Sequence, residues 1–174
     1  MYTKIAVATD GSAMGGKAVN AAARLAVLCQ SELVVLHVLM HGEPPESLVH
    51  MAEVEHLVKD NPQFQAALDN IPSQMIGVTA EIARRRLDDA AIARMGDTVI
   101  DRAVATAKSA GVQTVTREVL SGDTAQQIID AANRHGVDLI TVGTRGLGPI
   151  KGLVMGSVSQ KISQHADCDC LVIR

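Results

Sequence analysis

Five glycines, Gly143, Gly146, Gly148, Gly152 and Gly156, crowd one connection near the end of this 174-residue chain. The apolar run Asp138-Leu139-Ile140-Thr141-Val142 precedes them and has the continuous hydrophobicity of a buried parallel strand. Ser157 to His165, just after them, reads as a short helix with Ser157 at its start. The segment is therefore strand, glycine-rich loop, helix N-terminus, which is how a chain makes an anion site. Glycines let backbone N–H groups approach phosphate oxygens with no Cβ in the way. The helix start adds unpaired N–H donors and the positive end of the dipole. Arg145 and Lys151 set two cations in or beside the loop. An ordinary βα connection is the alternative, but this one is longer than most such loops, and phosphate binding is the stronger reading. The Walker A pattern is absent, and no Gly-x-Gly-x-x-Gly follows the first strand, so a dinucleotide fingerprint is not supported.

Upstream, strands and helices alternate. Lys4 to Thr9 is a short apolar strand, and Asp10-Gly11-Ser12 turns it into a helix with Ser12 as N-cap. That helix places Met14, Ala18, Ala22, Leu25 and Cys29 on its apolar side and Lys17, Asn20 and Arg24 outside. Glu32 to Met40 is a strongly apolar strand interrupted by His37, which reads as a hydrogen-bonded packing residue. Val112 to Leu120 alternates as a strand and ends at Ser121-Gly122-Asp123. Thr124 with Gln127 forms a capping box for a helix whose stripe is Ile128, Ile129 and Ala132 and whose left-handed cap is Gly136. The final strand is Cys170 to Ile173. Such alternation implies an α/β fold, an open parallel sheet with helices on both faces. Asp10 then sits at the carboxyl end of the first strand, where open α/β sheets bind ligands. Its carboxylate can accept hydrogen bonds from a ribose hydroxyl, or order the turn, or both.

Residues 41 to 95 are the least readable. Glu43-Pro44-Pro45-Glu46 is a loop, Glu46 to Lys59 can be a helix, and a second helical stretch runs from near Thr79 to Ala110. Its stripe is Ile92, Met95, Val99, Ala103 and Ala107, while Arg84-Arg85-Arg86 with Asp88-Asp89 reads as a surface ion network. His41, His50 and His56 are not one helical turn apart, which argues against a metal site.

Composition narrows the function classes. A chain of 174 residues, 47% hydrophobic but only 1% aromatic, can bury one good core built from Ala, Val, Leu and Ile. One domain is the natural count. The net charge of −3 gives no electrostatic case for nucleic acid. Cys29, Cys168 and Cys170 match no zinc pattern and no disulfide framework. Cys29 is expected in the core, and Cys168 and Cys170 as two packed thiols on one face of a strand. No signal peptide precedes the first strand, and no apolar run reaches transmembrane length, so a soluble cytoplasmic protein is expected, without membrane insertion.

The spacing Gly143-x2-Gly146-x9-Gly156-Ser157 resembles the ATP-binding motif of the universal stress protein family. The likeness continues through Val158-Ser159-Gln160-Lys161-Ile162, His165-Ala166 and Cys170 to Arg174, and at the N-terminus through Lys4 to Ser12. It covers Tyr2 to about His41 and about Met95 to the end. Together with right-handed crossovers, the resemblance implies a Rossmann-like five-stranded parallel sheet of order 3-2-1-4-5, the nucleotide-binding α-hydrolase type. The first and fourth strands then lie side by side where the winding reverses, and Asp10 meets Gly143 in one crevice.

The resemblance implies that Gly143, Gly146, Gly156, Ser157, Val158 and Ser159 hold phosphates and ribose. Thr144 adds a contact, and Ala8, Thr9, Asp10 and Val38 hold the ribose and base. ATP is the implied ligand, with AMP or ADP using the same base and ribose contacts. Mg2+ would accompany the triphosphate, held mainly by phosphate oxygens and water. The resemblance also implies a homodimer through the strand Cys170–Ile173. Family members often carry prolines near its start, where this chain has Asp167 and Asp169. Their connection before the long helix is usually shorter, so about 42–95 reads as an extended helical insertion within one domain of residues 1–174. The insertion offers a lid, a dimer surface or a docking element for a protein partner. The function implied is a nucleotide-dependent regulatory protein. A slow ATPase or phosphotransferase, or a nucleotide-independent docking module, are the alternatives. No convincing catalytic base is visible, which favours binding without efficient turnover.

Overall fold

A computed structural model of the chain describes residues 1–39, 76–146 and 155–174, with side chains in the long helix described from Ala93 onward. The expected helix at Glu46–Lys59 and the residues His41, His50 and His56 lie outside the described residues, as do the side chains of Arg84–Arg86, Asp88, Asp89 and Ile92. The chain divides into two compact units, Met1–Glu43 with Gly96–Arg174, and Pro44–Met95. In the second, the described residues are the helical stretch 76–95. The first contains the sheet.

Five parallel strands pair in the order β3-β2-β1-β4-β5, as expected from the sequence. They are β1 (Lys4–Ala8), β2 (Glu32–Leu39), β3 (Val115–Ser121), β4 (Leu139–Gly143) and β5 (Asp169–Ile173). Four helices are described: α1 (Ala13–Cys29), α2 (Ile76–Ser109), α3 (Thr124–His135) and α4 (Ser157–His165). β1 and β4 pair directly, with Ile5 opposite Leu139 and Ala8 opposite Val142.

Strand periodicity sorts the core into two layers. Ala6, Ala8, Val34, Leu36, Val38, Ile140 and Val142 face α3 and α4, where they meet Ile128, Ile129, Ala132 and Ile162. Ile5, Val7, Leu33, Val35 and Leu139 face the other way, onto Ala18, Val19, Ala22, Ala23 and Ala26 of α1 and Ile100, Ala103 and Ala107 of α2. Each fully buried aliphatic chain here contributes about 1.5–3 kcal/mol. The alanines let helix backbones approach the sheet closely, which is how a core almost without aromatics reaches native density.

The buried line of α1 runs through Gly15, Ala18, Val19, Ala22, Ala23 and Ala26. Met14 and Leu25 are half-buried, and Cys29, expected in the core, is half-buried at the last residue of the helix. The sheet selects the small residues for its contact line and leaves the longer side chains at the margins. Ser12 caps α1 as expected, accepting the Gly15 N–H at 3.0 Å. α3 is capped by Asp123 rather than Thr124: Asp123 Oδ1 accepts the Gln126 N–H at 3.0 Å, and Thr124 is the first helical residue. Gly122, at φ 129°, turns the chain just before it, so Asp123 reaches the cap position first. Gly136 closes α3 at φ 61°, as expected.

Strand ends also move. β3 begins at Val115 rather than Val112, because Gly111 (φ 100°) and the Val112 N–H, bonded to Ala107 O at 3.2 Å, still finish α2. β5 begins one residue early, where the Asp169 N–H bonds Asp138 O at 3.2 Å. β1 stops at Ala8, one residue short of expectation, and β2 is described through Leu39, with Met40 outside the described residues.

Candidate functional site

The carboxyl ends of β1 and β4 lie together at the point where the strand order reverses, and the loops that follow them interlock. Thr9, just past β1, is buried and held by two successive residues of β2. Its N–H donates to Leu36 O at 3.0 Å, and His37 Nδ1 donates to its carbonyl at 2.8 Å. Its hydroxyl oxygen accepts the Gly11 N–H at 3.3 Å. Asp10 follows, half-buried, with Oδ1 accepting the Ser12 N–H at 3.0 Å. Gly11 makes the turn at φ +80°, where L side chains are strained. The first turn of α1 is pressed against this segment. A Cβ on Gly15 would stand 2.7 Å from Thr9 Oγ1 and 2.9 Å from Asp10 Oδ1. The sequence reading missed Gly15. The available signal was a Gly-Gly pair inside a helix, which costs stability unless a close approach requires it.

From the other side comes the β4 loop. A Cβ on Gly143 would come within 3.0 Å of the Met14 carbonyl, so the end of β4 abuts the start of α1. Gly146 lies directly against the carboxylate of Asp10, and a Cβ there would overlap Asp10 Oδ2. Asp10, expected beside Gly143, meets the glycine loop at Gly146, while Gly143 abuts Met14.

Thr144 is the hub of the loop. Its N–H donates to Ile173 O at 2.7 Å, tying the loop to the end of β5. Its carbonyl accepts the Gly156 N–H at 2.7 Å. The buried Ser159 hydroxyl lies 3.1 Å from that carbonyl and 3.0 Å from Gly156 O, and shares its single proton between them. The two ends of the glycine loop are thereby clamped together. Gly156 is the N-cap of α4 and supplies no side-chain cap. The first N–H to bond back along the helix is that of Gln160, to Gly156 O at 3.0 Å. The N–H groups of Ser157, Val158 and Ser159 precede it, at the positive end of the helix. Arg145 and Ser157 are exposed, and residues 147–154, with Gly148, Lys151 and Gly152, lie outside the described residues.

Val38 completes the group. In a parallel ladder, alternate residues turn their N–H and C=O to opposite neighbours. Leu36 turns toward β1, where its carbonyl accepts from Thr9, so Val38 turns the same way. β1 pairs with β2 only as far as Ala8 opposite Leu36, so the Val38 peptide groups look into the space beyond the end of β1. Its side chain remains in the core.

The C-terminal edge carries no reactive pair. Cys168 and Cys170 are free and half-buried against the same core layer. Burial pushes both thiols up, with the Asp169 charge adding to it at Cys168 and the neighbouring Cys168 at Cys170, so neither favours the nucleophilic thiolate. The two carboxylates at this edge are tied within the chain. Asp169 Oδ2 accepts the Tyr2 hydroxyl at 2.9 Å, and Asp167 Oδ2 accepts Asn133 Nδ2 at 3.1 Å. Among the described residues, no three His, Cys, Asp or Glu side chains gather as a metal site, and no helix is long and apolar enough to cross a membrane.

Comparison with known proteins agrees with this architecture. Residues 1–174 match the universal stress protein family. Universal stress protein YxiE of Bacillus subtilis (strain 168) is 33% identical over 174 residues, spanning 100% of both chains. Universal stress protein UspA from Lactobacillus plantarum has the same fold, with a TM-score of 0.66 at 22% identity over 99% of this chain and 98% of that one. So has the universal stress protein from Archaeoglobus fulgidus solved in complex with dAMP, with a TM-score of 0.56 at 18% identity over 99% of this chain and 98% of that one. With the sheet order, the interlocked glycine loop and the whole-length match all in agreement, this chain belongs to the universal stress protein family.

Proposed function

We propose that this protein binds an adenine nucleotide, ATP foremost, in the crevice beyond β1 and β4, and acts as a nucleotide-dependent regulator. The observation that carries the reading is the seating of Gly146 on the Asp10 carboxylate, which makes the β1 turn and the glycine loop one continuous surface. The N–H groups of Ser157, Val158 and Ser159 at the start of α4, with the backbone at Gly143, Thr144, Gly146 and Gly156, hold the phosphates. Asp10 accepts from the ribose, Ala8 and Thr9 form the floor beside it, and the Val38 peptide meets the base. The relative from Archaeoglobus fulgidus, solved with dAMP, supports an adenine nucleotide in this fold, and ADP or AMP would use the same base and ribose contacts. Mg2+ would reach the site on the triphosphate, ligated by phosphate oxygens and water, since a lone carboxylate makes a poor protein cage.

Binding without efficient turnover follows from the side chains. Asp10 is the one carboxylate placed in the described site, and its Oδ1 already accepts from Ser12. The protein works in the cytoplasm as a homodimer paired through β5, and residues 42–95 offer a surface to a protein partner.

The test is calorimetric titration with ATP and AMP, with mass spectrometry of small molecules released on denaturation. Gly156→Val is the control, because a Cβ there stands 3.2 Å from Thr144 O and a branched side chain would pry the loop clamp open. Binding by the wild type that is lost in folded Gly156→Val supports the reading. A folded wild type that releases no nucleotide and gives no heat with either ligand overturns it.

A further inference from the structure

We infer that His37 is the positioning residue of the ribose site: its imidazole sets the Thr9 carbonyl and thereby the aim of the Asp10 carboxylate. The inference rests on the nucleotide reading above and adds to it a residue that does not itself touch ligand.

His37 is buried in β2, on the face that packs against α1 and α2, and its Nδ1 lies 2.8 Å from Thr9 O. A carbonyl can only accept, so Nδ1 carries the proton. The bond falls one residue beyond the last pairing of β1 with β2, Ala8 opposite Leu36. There the chain leaves the sheet, and backbone pairing cannot hold its carbonyl. The imidazole takes over the role of the missing strand. Leu36 O fixes the Thr9 N–H and His37 fixes the Thr9 C=O, so both peptide planes flanking Thr9 are set from β2. The second of those planes leads directly into Asp10, whose carboxylate must lie between Ser12 and Gly146.

The imidazole is itself held. A Cβ on Gly96 of α2 would stand 3.2 Å from His37 Cδ2, 3.4 Å from Nε2 and 2.5 Å from Leu39 Cδ2. The backbone of α2 therefore rests on the ring, and only glycine permits that approach. Val99, one turn further along α2, reaches Gly11, where a Cβ would meet its Cγ2 at 2.9 Å. One face of α2 thus braces both the histidine and the turn it orients.

The test compares three substitutions that differ in where a donor stands. Asn places its amide nitrogen close to the position of histidine Nδ1, Gln extends it toward Nε2, and Leu has no donor. Wild type, His37→Asn, His37→Gln and His37→Leu are titrated with ATP and with 2′,3′-dideoxy-ATP, which lacks the hydroxyls Asp10 would accept. Thermal melts confirm folding. Wild type and His37→Asn should prefer ATP to the dideoxy analogue to a similar degree. His37→Gln and His37→Leu should lose about tenfold in ATP affinity, the size of one hydrogen bond, while affinity for the analogue stays near the wild-type value. If His37→Leu fails to fold, the Asn and Gln pair carries the same comparison. Equal ATP preference in all folded variants, or an equal loss toward both ligands, overturns the inference. Failure of the wild type to bind any nucleotide instead overturns the functional reading beneath it.

Discussion

The Asp10 carboxylate rests on the Gly146 backbone, with no room between them for a Cβ. Two stretches at opposite ends of the chain are thus joined by a contact that only glycine allows. Gly146 itself is exposed and φ is not positive there, so alanine can adopt the backbone and the damage falls on Asp10. Gly146→Ala should melt near the wild-type temperature yet lose about tenfold in ATP affinity by calorimetry, roughly one polar contact. Asp10→Ala should lose a comparable amount. The double variant should lose little more than either single one, because both changes remove the same interaction. Additive losses would show that the two residues act on the ligand separately.

Thr141 offers a stability test with no expected functional effect. It is fully buried in β4, and its Oγ1 has no hydrogen-bond partner among the described residues. Leaving a buried hydroxyl unsatisfied costs roughly 1–3 kcal/mol, while valine has nearly the same shape and suits a strand. Thr141→Val should raise the midpoint of urea unfolding without changing its slope. An unchanged or lowered midpoint would mean that the hydroxyl finds a partner in solution.

The sequence was most legible where one local rule operated alone. Ser12 and Gly136 were readable as caps because N-cap and left-handed positions select few residues. The apolar runs of β1, β2 and β4 were readable because both faces of a central parallel strand are buried. The α1 stripe was misplaced because side-chain size, and not apolarity, chose the contact line: Gly15 and Ala26 face the sheet while Leu25 lies at the margin. The cap of α3 slipped by one residue because Asp123 and Thr124 are both good caps and the preceding turn decided between them. Most hidden were the contacts that position Asp10. His37, Gly15, Gly96 and Gly146 act on one another only through tertiary approach, and no local spacing encodes it.

Asp138 should give the protein a defined acid-sensitive step. Its Oδ2 accepts the Thr3 hydroxyl at 2.6 Å, the Thr3 N–H at 2.6 Å and the Lys4 N–H at 3.0 Å, pinning the start of β1 to β4. Those three donors, the Thr3 hydroxyl foremost, hold the carboxyl at about 2 against its ordinary 3.8. A depressed folded-state value means the stabilisation is present above the ordinary value and is lost as pH falls from about 4 toward 2. Asp138→Asn should therefore unfold at lower urea than wild type at pH 7. The gap should narrow steadily below pH 4 and close near pH 2. A gap independent of pH would mean the charge plays no part in the anchoring.

The two sides of β5 allow the proposed dimerisation to be tested apart from folding. The Asp169 N–H bonds Asp138 O, and Ile173 O accepts from Thr144. Asp169, Leu171 and Ile173 therefore turn their peptide groups inward to β4, and by alternation Cys170 and Val172 turn theirs outward. An edge strand tolerates proline where the lost N–H faces away from the sheet. Val172→Pro should keep the circular dichroism of the wild type but remove a donor from any strand that pairs with this edge, so sedimentation should report a monomer. Leu171→Pro removes an inward N–H and should instead unfasten β5 from Gly143 and Thr144, lowering thermal stability and, through the Thr144 clamp, ATP affinity. A Val172→Pro protein that still sediments as a dimer would place the interface on some surface other than the β5 edge.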